Sequence, residues 1–275
     1  MTQAIQKKLN DSAFARWTAL ILVALTMFFG YMFVDVLSPL QNMLESTRGW
    51  SPTIFGLYGG SEFILNVCGF LLVAGIILDK MGVRFTGILS ASLMVLGAGI
   101  KFYGLSNYFY EGGFGYEFLS SFLTDIPASA KLACLGFMVF GCGTEMAGVT
   151  VSRAIVKWFT GKELALAMGL EMAIARLGVF AVFSLSPWVA NWGGDPSVAR
   201  PVAVVGLLLC IGLLTYIAFS VMDFKLDRQT EADTPIGETE EPFKVADLKN
   251  LFSSKTFLIV SALCVLLSLI HISEP

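Results

Sequence analysis

Six apolar stretches, each about as long as a bilayer is thick, dominate this sequence. A helix needs about 20 apolar residues to cross the hydrocarbon core of a membrane. Segments of that length lie near residues 17–37, 52–78, 85–104, 131–153, 163–188 and 200–222. Composition agrees, because 56% of the residues are hydrophobic, 14% are charged and the mean hydropathy is +0.74. The sequence therefore predicts an all-α membrane protein.

A polar segment separates these six spans from a seventh apolar run. Residues 1–16 form a polar N-terminus, residues 17–222 hold the six-helix bundle, and residues 223–255 form a linker with a short amphipathic helix near 243–252. The last run, from Thr256 to Ile270, is too short to cross a membrane unaided. We expect residues 256–275 to be the truncated start of a second transmembrane half.

Basic residues are distributed unevenly between the two sides of the bundle. With the N-terminus in the cytoplasm, the inner side carries Lys7, Lys8, Arg16, Lys80, Arg84, Arg153, Lys157 and Lys162, whereas the outer loops carry Arg48 and Arg200. Lys101 and Lys131 fall at membrane edges. Cytoplasmic loops are enriched in Lys and Arg, so the N-terminus and the linker are predicted to be cytoplasmic. A plasma membrane or a bacterial inner membrane is the expected location.

The loop between the second and third spans reads GIILDKMGVRFTG. Its key positions are Gly75, Asp79, Lys80, Gly82 and Arg84. Gly82 permits a sharp turn, and Asp79 can accept hydrogen bonds from a neighbouring helix N-terminus. The spacing resembles the gating loop of the major facilitator superfamily, except that Val83 replaces a usual basic residue. The resemblance implies the six-helix N-terminal half of a fold whose two halves rock about a central site.

Five charged residues fall inside or near the ends of the spans. They are Asp35, Glu62, Glu145, Glu171 and Arg176. Such residues are costly in a membrane and tend to pair or to line a pathway. Asp35, Glu62 and Glu171 are candidates for substrate binding or proton coupling, and each can instead serve an internal hydrogen bond or an interface.

Glu145 and Arg176 are the strongest candidates for a substrate site. They lie well inside adjacent antiparallel spans, where an acid and a base can hold the two ends of a zwitterion or pair with each other. Glu171 and Arg176 are five residues apart. At about 100° per residue they point roughly 140° apart, which makes them poor partners on one helix.

The block from Gly141 to Gly178 resembles one particular branch of this superfamily. It contains WFTGKELALAMGL and then MAIARLG, and it is similar to the lysosomal dipeptide uniporter branch of the superfamily and its bacterial relatives. Asp35 before Pro39 fits this branch loosely. The resemblance implies facilitated transport of dipeptides, with Glu145 on the peptide amine and Arg176 on the carboxylate. Glu171 departs from the pattern and leaves proton coupling open.

Other functions fit the sequence less well. An organic-anion or nitrate carrier of the same superfamily would use Arg176, but Glu145 would repel its substrate. A non-transporting receptor or scaffold would not need charges in the membrane. An enzyme is not expected, because the chain has no P-loop, HExxH or nucleophile elbow.

No cofactor, metal or nucleic acid is expected. The predicted partners are a small solute, the lipid bilayer and the missing C-terminal half.

Overall fold

The computed structural model describes residues 8–231 and 253–273. Every regular element in these ranges is helical, which confirms the predicted all-α class. The predicted amphipathic helix at 243–252 and most of the predicted linker lie outside the described residues. The two described ranges, 8–231 and 253–273, belong to separate units, and each is described by itself.

The first unit contains nine α-helices within residues 8–231. They are α1 (Ala13–Val34), α2 (Gln41–Arg48), α3 (Pro52–Leu65), α4 (Leu71–Leu105), α5 (Asn107–Tyr110), α6 (Tyr116–Ser120), α7 (Ala128–Phe159), α8 (Leu164–Ala190) and α9 (Ala199–Glu231). A π-helical turn, Asn66–Phe70, joins α3 to α4. Ser12 and Ser51 cap the starts of α1 and α3 with their side-chain oxygens.

Five helical stretches in the described residues are long and apolar enough to cross a membrane. They are Ala13–Arg48, Pro52–Leu105, Ala128–Phe159, Leu164–Ala190 and Ala199–Thr230. The second is 54 residues long. At 1.5 Å per residue it could cover about 80 Å, more than twice the thickness of a hydrocarbon core.

The chain reverses direction at Gly82 within this long stretch. Tyr58 before the turn stacks on Phe137 of α7, and Lys101 after the turn lies over the same ring. Between them, Asp79 pairs with Arg153 at the far end of α7. Gly82 itself has φ 75° and ψ 173°, a conformation that glycine adopts readily. The stretch therefore crosses twice, and the bundle has the six predicted spans.

The bundle has two ends, which we name after residues that lie there. The Gly82 end holds Gly82, residues 153–164 and residues 223–231. The Trp50 end holds Trp50, residues 105–128 and residues 190–199. Trp50 is completely buried and donates a hydrogen bond to Ser129 at the start of α7.

Close helix contacts set the packing within the bundle. α7 packs along α4 and α3, whereas α1 packs against α8 and α9. A third contact, between α4 and α9, includes a hydrogen bond from the Tyr216 hydroxyl to the Val83 carbonyl. A Cβ at Gly136 of α7 would lie 2.6 Å from the backbone nitrogen of Lys101, so these two helices touch through their backbones.

The sixth span continues beyond its predicted end at residue 222. α9 runs to Glu231, into the segment predicted as a linker. The extra turns carry Asp223 and Asp227, which form ion pairs with Arg84 and Lys157. These cross-helix contacts outweigh the polar composition that marked the segment as a linker.

The second unit contains one helix in the described residues. This helix, α10, spans Lys255–Ser273, and the predicted seventh apolar run lies within it. The backbone N–H of Phe257 donates to the Ser254 side chain, an arrangement typical of a helix start.

Candidate functional site

Arg176 lies on the exposed surface of α8, next to α1. Its Cζ atom is 5.3 Å from the centroid of the Tyr31 ring. The two helices touch here, because a Cβ at Gly178 would overlap the carbonyl oxygen of Phe28. This contact places the guanidinium of Arg176 above the face of Tyr31, where a cation–π interaction holds it.

Glu145 lies on α7 and is half-buried. One helical turn earlier, Gly141 packs against Glu62 of α3, and the Asn66 side chain donates to the carbonyl oxygens of both residues. Residues at i and i+4 share one helix face. Glu145 and Glu62 therefore lie on the same side of α7, and the charge of Glu145 acts on Glu62.

The hydroxyl of Tyr31 lies within electrostatic range of four of the predicted site residues. The charges of Arg176, Glu145, Glu171 and Glu62 all act on it. Glu62 and Glu171 are buried, at 4% and 8% exposure, whereas Arg176 is exposed. Four of the five charged residues predicted in or near the spans thus lie within electrostatic range of one tyrosine.

Glu145 and Arg176 do not pair with each other. In the part of the chain that the structure describes, no ion pair or hydrogen bond links Arg176 to Glu145, Glu171 or Glu62. The interpretation of Glu145 and Arg176 as an internal salt bridge is therefore not supported. Arg176 and the three carboxyl groups are thus within electrostatic range of the same tyrosine, but they do not hydrogen-bond to one another in the described residues.

Asp35 lies apart from the groups around Tyr31. It follows the last turn of α1, is half-buried and accepts a hydrogen bond of 2.9 Å from the Ser38 hydroxyl. Its charge acts on Lys101 and Glu62. Among the predicted site residues, Glu62 thus lies within electrostatic range of Asp35.

Sequence reasoning missed two residues near the site. Tyr31 carries no charge and gave no signal in an apolar span. Lys101 was placed at a membrane edge, but it is completely buried, at 0% exposure. A signal for Lys101 existed, because residue 101 falls inside the predicted span 85–104 and not beyond it.

The residues of the predicted gating loop differ in whether they contact the rest of the bundle. Asp79 accepts a hydrogen bond from Arg153 of α7, so a guanidinium takes the place that we expected a helix N-terminus to occupy. Arg84 pairs with Asp227 at 3.1 Å. Lys80 is exposed and, among the described residues, has no hydrogen-bond or ion-pair partner, and Gly75 has open space around it.

A buried carboxylate on α9 contacts the loop at Gly82. Asp223 is 1% exposed and accepts from Lys157 at 2.8 Å and from the Trp158 indole at 3.0 Å. Its second cationic neighbour is Arg84, at 3.8 Å. This network links α4, α7 and α9 at the Gly82 end.

The described residues contain no group of three or more His, Cys, Asp or Glu that could hold a metal ion. Cys68, Cys134, Cys142 and Cys210 are free thiols.

The chain is similar to one known family and to individual proteins. The family model of the Major Facilitator Superfamily matches residues 20–273. The lysosomal dipeptide transporter MFSD1 of Gallus gallus is 31% identical over 135 residues, 47% of this chain and 30% of that protein. The MFSD1 protein of Danio rerio is 33% identical over 131 residues, 46% of this chain and 28% of that protein.

A longer match extends over most of the chain. The MFSD1 protein of Pongo abelii is 25% identical over 256 residues, 89% of this chain and 49% of that protein. The chain thus spans at most about half the length of these relatives. None of the solved structures matches it. The family match covers nearly the whole chain and agrees with the six spans and the loop at Gly82, so this multi-pass membrane protein belongs to the Major Facilitator Superfamily.

Proposed function

We propose that this protein is part of a carrier that moves small zwitterions, most of all dipeptides, across a membrane. Glu145 binds the substrate amine and Arg176 binds its carboxylate. The observation that carries this proposal is that Arg176 lies over the Tyr31 ring, with Glu145 within electrostatic range of the same tyrosine and no salt bridge between the two in the described residues. The names of the relatives as dipeptide transporters add support.

The chemistry of the two residues suits the two ends of a peptide. A guanidinium binds a carboxylate through two parallel hydrogen bonds, and charge-assisted bonds of this kind are roughly twice as strong as neutral ones. A carboxylate accepts hydrogen bonds from an ammonium group. A free dipeptide carries one group of each kind, separated by its backbone, and so can engage Glu145 and Arg176 together.

The balance of charge favours a zwitterion over a small anion. One cationic group, Arg176, and three carboxyl groups, Glu62, Glu145 and Glu171, lie within electrostatic range of Tyr31. A nitrate or an organic anion would gain one attraction and meet acidic neighbours at the same site. A substrate with an amine gains from both signs of charge.

The exposure of Arg176 supports a second half that covers this face. A charged side chain facing lipid is costly, and such residues normally face a bundle interior or a water-filled cavity. We propose that the face of the bundle with Arg176 and Tyr31 turns towards a second helical half, with substrate between the halves. Rocking of the halves would open the site to each side in turn.

The Gly82 end provides the contacts that would form and break during this motion. Asp79 and Arg153 form one exposed pair there, whereas the Asp223 network is buried. We propose that the exposed pair acts as the gate and that the buried network keeps the half rigid. The N-terminus and the Gly82 end are proposed to face the cytoplasm, from the excess of basic residues there.

Ligand-induced stabilisation of the full-length protein tests the substrate assignment. The purified protein is heated with dipeptides, single amino acids or nitrate, because a ligand that binds the folded state raises the melting temperature. Dipeptides are expected to stabilise the wild type. Arg176→Ala is expected to weaken this effect by about 10- to 100-fold in ligand concentration, since a hydrogen bond to a charged group contributes about 1.5–3 kcal/mol.

Arg228→Ala serves as the matched control for Arg176→Ala. Arg228 is also exposed and also lies over an aromatic ring, at 4.5 Å from the centroid of Phe224, but it lies at the Gly82 end. Glu145→Gln is compared with Glu117→Gln on the exposed helix α6. Stabilisation by nitrate and not by dipeptides would overturn the proposal and move the protein to the anion carriers.

A further inference from the structure

The segment between α4 and α7, at the Trp50 end, exposes a group of large apolar side chains. It contains the short helices α5 and α6 and the turns around them. Its outward side chains are Tyr108, Phe114, Phe118 and Leu123, with exposed fractions of 68%, 89%, 72% and 65%. We call these four residues the apolar patch. Exposed apolar surface of this kind marks a site of contact with a membrane or with another protein.

The segment is folded around an aromatic cluster of its own. Phe109 is completely buried, and its ring centroid lies 5.4 Å from that of Tyr103 and 5.5 Å from that of Tyr116. The Tyr103 hydroxyl donates a hydrogen bond of 3.2 Å to the carbonyl oxygen of Phe114. The Phe114 ring is therefore held outside by a packed structure.

The segment lies beside the ends of two spans. Lys131, in the first turn of α7, donates from its Nζ atom to the carbonyl oxygens of Leu119 and Phe122. The next residue, Leu132, lies 3.1 Å from the position of a Cβ at Gly104, in the last turn of α4. One lysine side chain therefore bridges from the span ends to the end of α6. Lysines near span ends reach to the level of the lipid headgroups, which places α6 at that level.

The backbone around the exposed rings is suited to contact with lipid. Backbone polar groups that face lipid need partners inside the protein. The carbonyl of Phe114 has the Tyr103 hydroxyl, and the carbonyls of Leu119 and Phe122 share the Lys131 ammonium. These groups are thus satisfied without water at the positions where apolar rings are exposed.

Leu123 combines an unusual backbone with an exposed side chain. Among the described residues it is the one non-glycine residue with a positive φ, at 47°. Residues with side chains seldom adopt this region, and they do so where the surroundings fix them. Burial in this unit does not compensate for the strain, because Leu123 is 65% exposed. A contact surface outside the described residues would compensate for it.

The surface of the bilayer is the occupant that fits this patch. The chain is a multi-pass membrane protein, so the bilayer surface meets the ends of α4 and α7, where the segment lies. Aromatic side chains are enriched at that level. Trp188 and Trp192, near the same end of the bundle, are also exposed and stack at 5.6 Å. Exposed Glu117 beside Phe118 suits the boundary between headgroups and acyl chains and not the hydrocarbon core.

We propose that residues 107–123 lie in the surface of the leaflet at the Trp50 end, with the apolar patch inserted between phospholipid headgroups and the upper acyl chains. The partner is a lipid surface, and the insertion attaches the ends of α4 and α7 to one leaflet. This interaction is independent of the proposed substrate.

Fluorescence quenching of the full-length protein in liposomes tests the insertion. An environment-sensitive fluorescent amino acid replaces Phe114 or Phe118, or Asp125 as the matched control, which is exposed in the same segment. Phospholipids with bromine near the headgroup end of their acyl chains quench from the lipid, and iodide on both sides of the membrane quenches from water. Brominated lipid is expected to quench positions 114 and 118 several-fold more than position 125. Iodide is expected to show the reverse order.

The other outcomes contradict the proposal in distinct ways. Iodide quenching at positions 114 and 118 as strong as at position 125 would show that the patch faces water. Protection of both positions from both quenchers would show that a protein surface covers them, from the second half or from a second copy. Melting temperatures close to that of wild type show that each labelled variant is folded. Because Phe114 and Phe118 are both exposed, either position alone decides the test if the other variant does not fold.

Discussion

Gly141 of α7 lies directly against the backbone of Glu62 on α3. A Cβ atom at position 141 would overlap the carbonyl oxygen of Glu62 and approach its Cγ atom to 2.8 Å. The contact falls beside the π-helical turn at Asn66–Phe70. It joins a buried acid on one span to the helix that carries Glu145, and so fixes the distance between two groups of the candidate site.

Gly141→Ala is expected to destabilise the protein. The added methyl group must push α3 and α7 apart, and overpacking of this kind costs roughly 1–3 kcal/mol. Thermal unfolding of the full-length protein measures the loss. Gly148→Ala on the same helix is the control, because nothing lies within 4 Å of a Cβ there. Equal melting temperatures of the two variants would contradict the close contact at Gly141.

Tyr31 is expected to position Arg176 through its ring. Tyr31→Phe keeps the ring and should leave dipeptide affinity close to that of wild type. Tyr31→Leu removes the cation–π contact, which contributes about 0.5–1 kcal/mol at an exposed site, and should weaken affinity roughly 2- to 5-fold. Titration of the melting temperature with dipeptide measures both. Equal losses in the two variants would show that the hydroxyl, and not the ring, is required.

Asp223→Ala is expected to be strongly destabilising. It leaves Lys157 and the Trp158 indole without their buried acceptor, and breaking a buried ion pair costs about 3–5 kcal/mol. Asp125→Ala, at an exposed loop position, provides the control. A melting temperature for Asp223→Ala as high as that of the Asp125 variant would rule out a structural role for the network.

The contact between Asp11 and Lys162 predicts a pH-dependent contribution to stability. A hydrogen bond from Lys162, followed by one from the Lys8 backbone, lowers the pKa of Asp11 below its ordinary value of 3.8. A carboxyl group whose pKa is lowered in the folded state stabilises that state above its ordinary pKa. The contribution disappears as the pH falls through the lowered value, because Asp11 then takes up a proton.

Lys162→Met should therefore reduce the melting temperature at neutral pH, and the difference from wild type should narrow below about pH 4. Lys80→Met is the control, because Lys80 is exposed and has no hydrogen-bond or ion-pair partner in the described ranges. A difference between wild type and Lys162→Met that does not change with pH would contradict the assignment. The pKa of Glu163, lowered by its own backbone N–H and then by Arg16, acts in the same direction.

Much of the fold could be predicted from the sequence, because a membrane span is recognisable from its own consecutive residues. About 20 consecutive apolar residues favour a membrane helix wherever they occur, and the six predicted spans all correspond to helices. The turn at Gly82 could also be predicted, because glycine and charged residues interrupt an apolar run there. The end of α9 could not be predicted. Asp223 and Asp227 are polar, but their ion pairs with Arg84 on another helix keep this segment helical.

For the candidate site too, part could be predicted from the sequence and part depended on the tertiary structure. The sequence alone identified five charged residues in or near the apolar spans, because an acid or a base in an apolar span is visible without any neighbour, but it placed the buried Lys101 at a membrane edge. Only the tertiary structure decided which of these charges meet. Arg176 and three acids lie within electrostatic range of Tyr31, and Lys101 is enclosed by rings from α1, α3 and α7. The rotation and register of each helix depend on contacts such as Gly141 with Glu62 and Gly178 with Phe28, which join residues far apart in the chain and leave no local pattern.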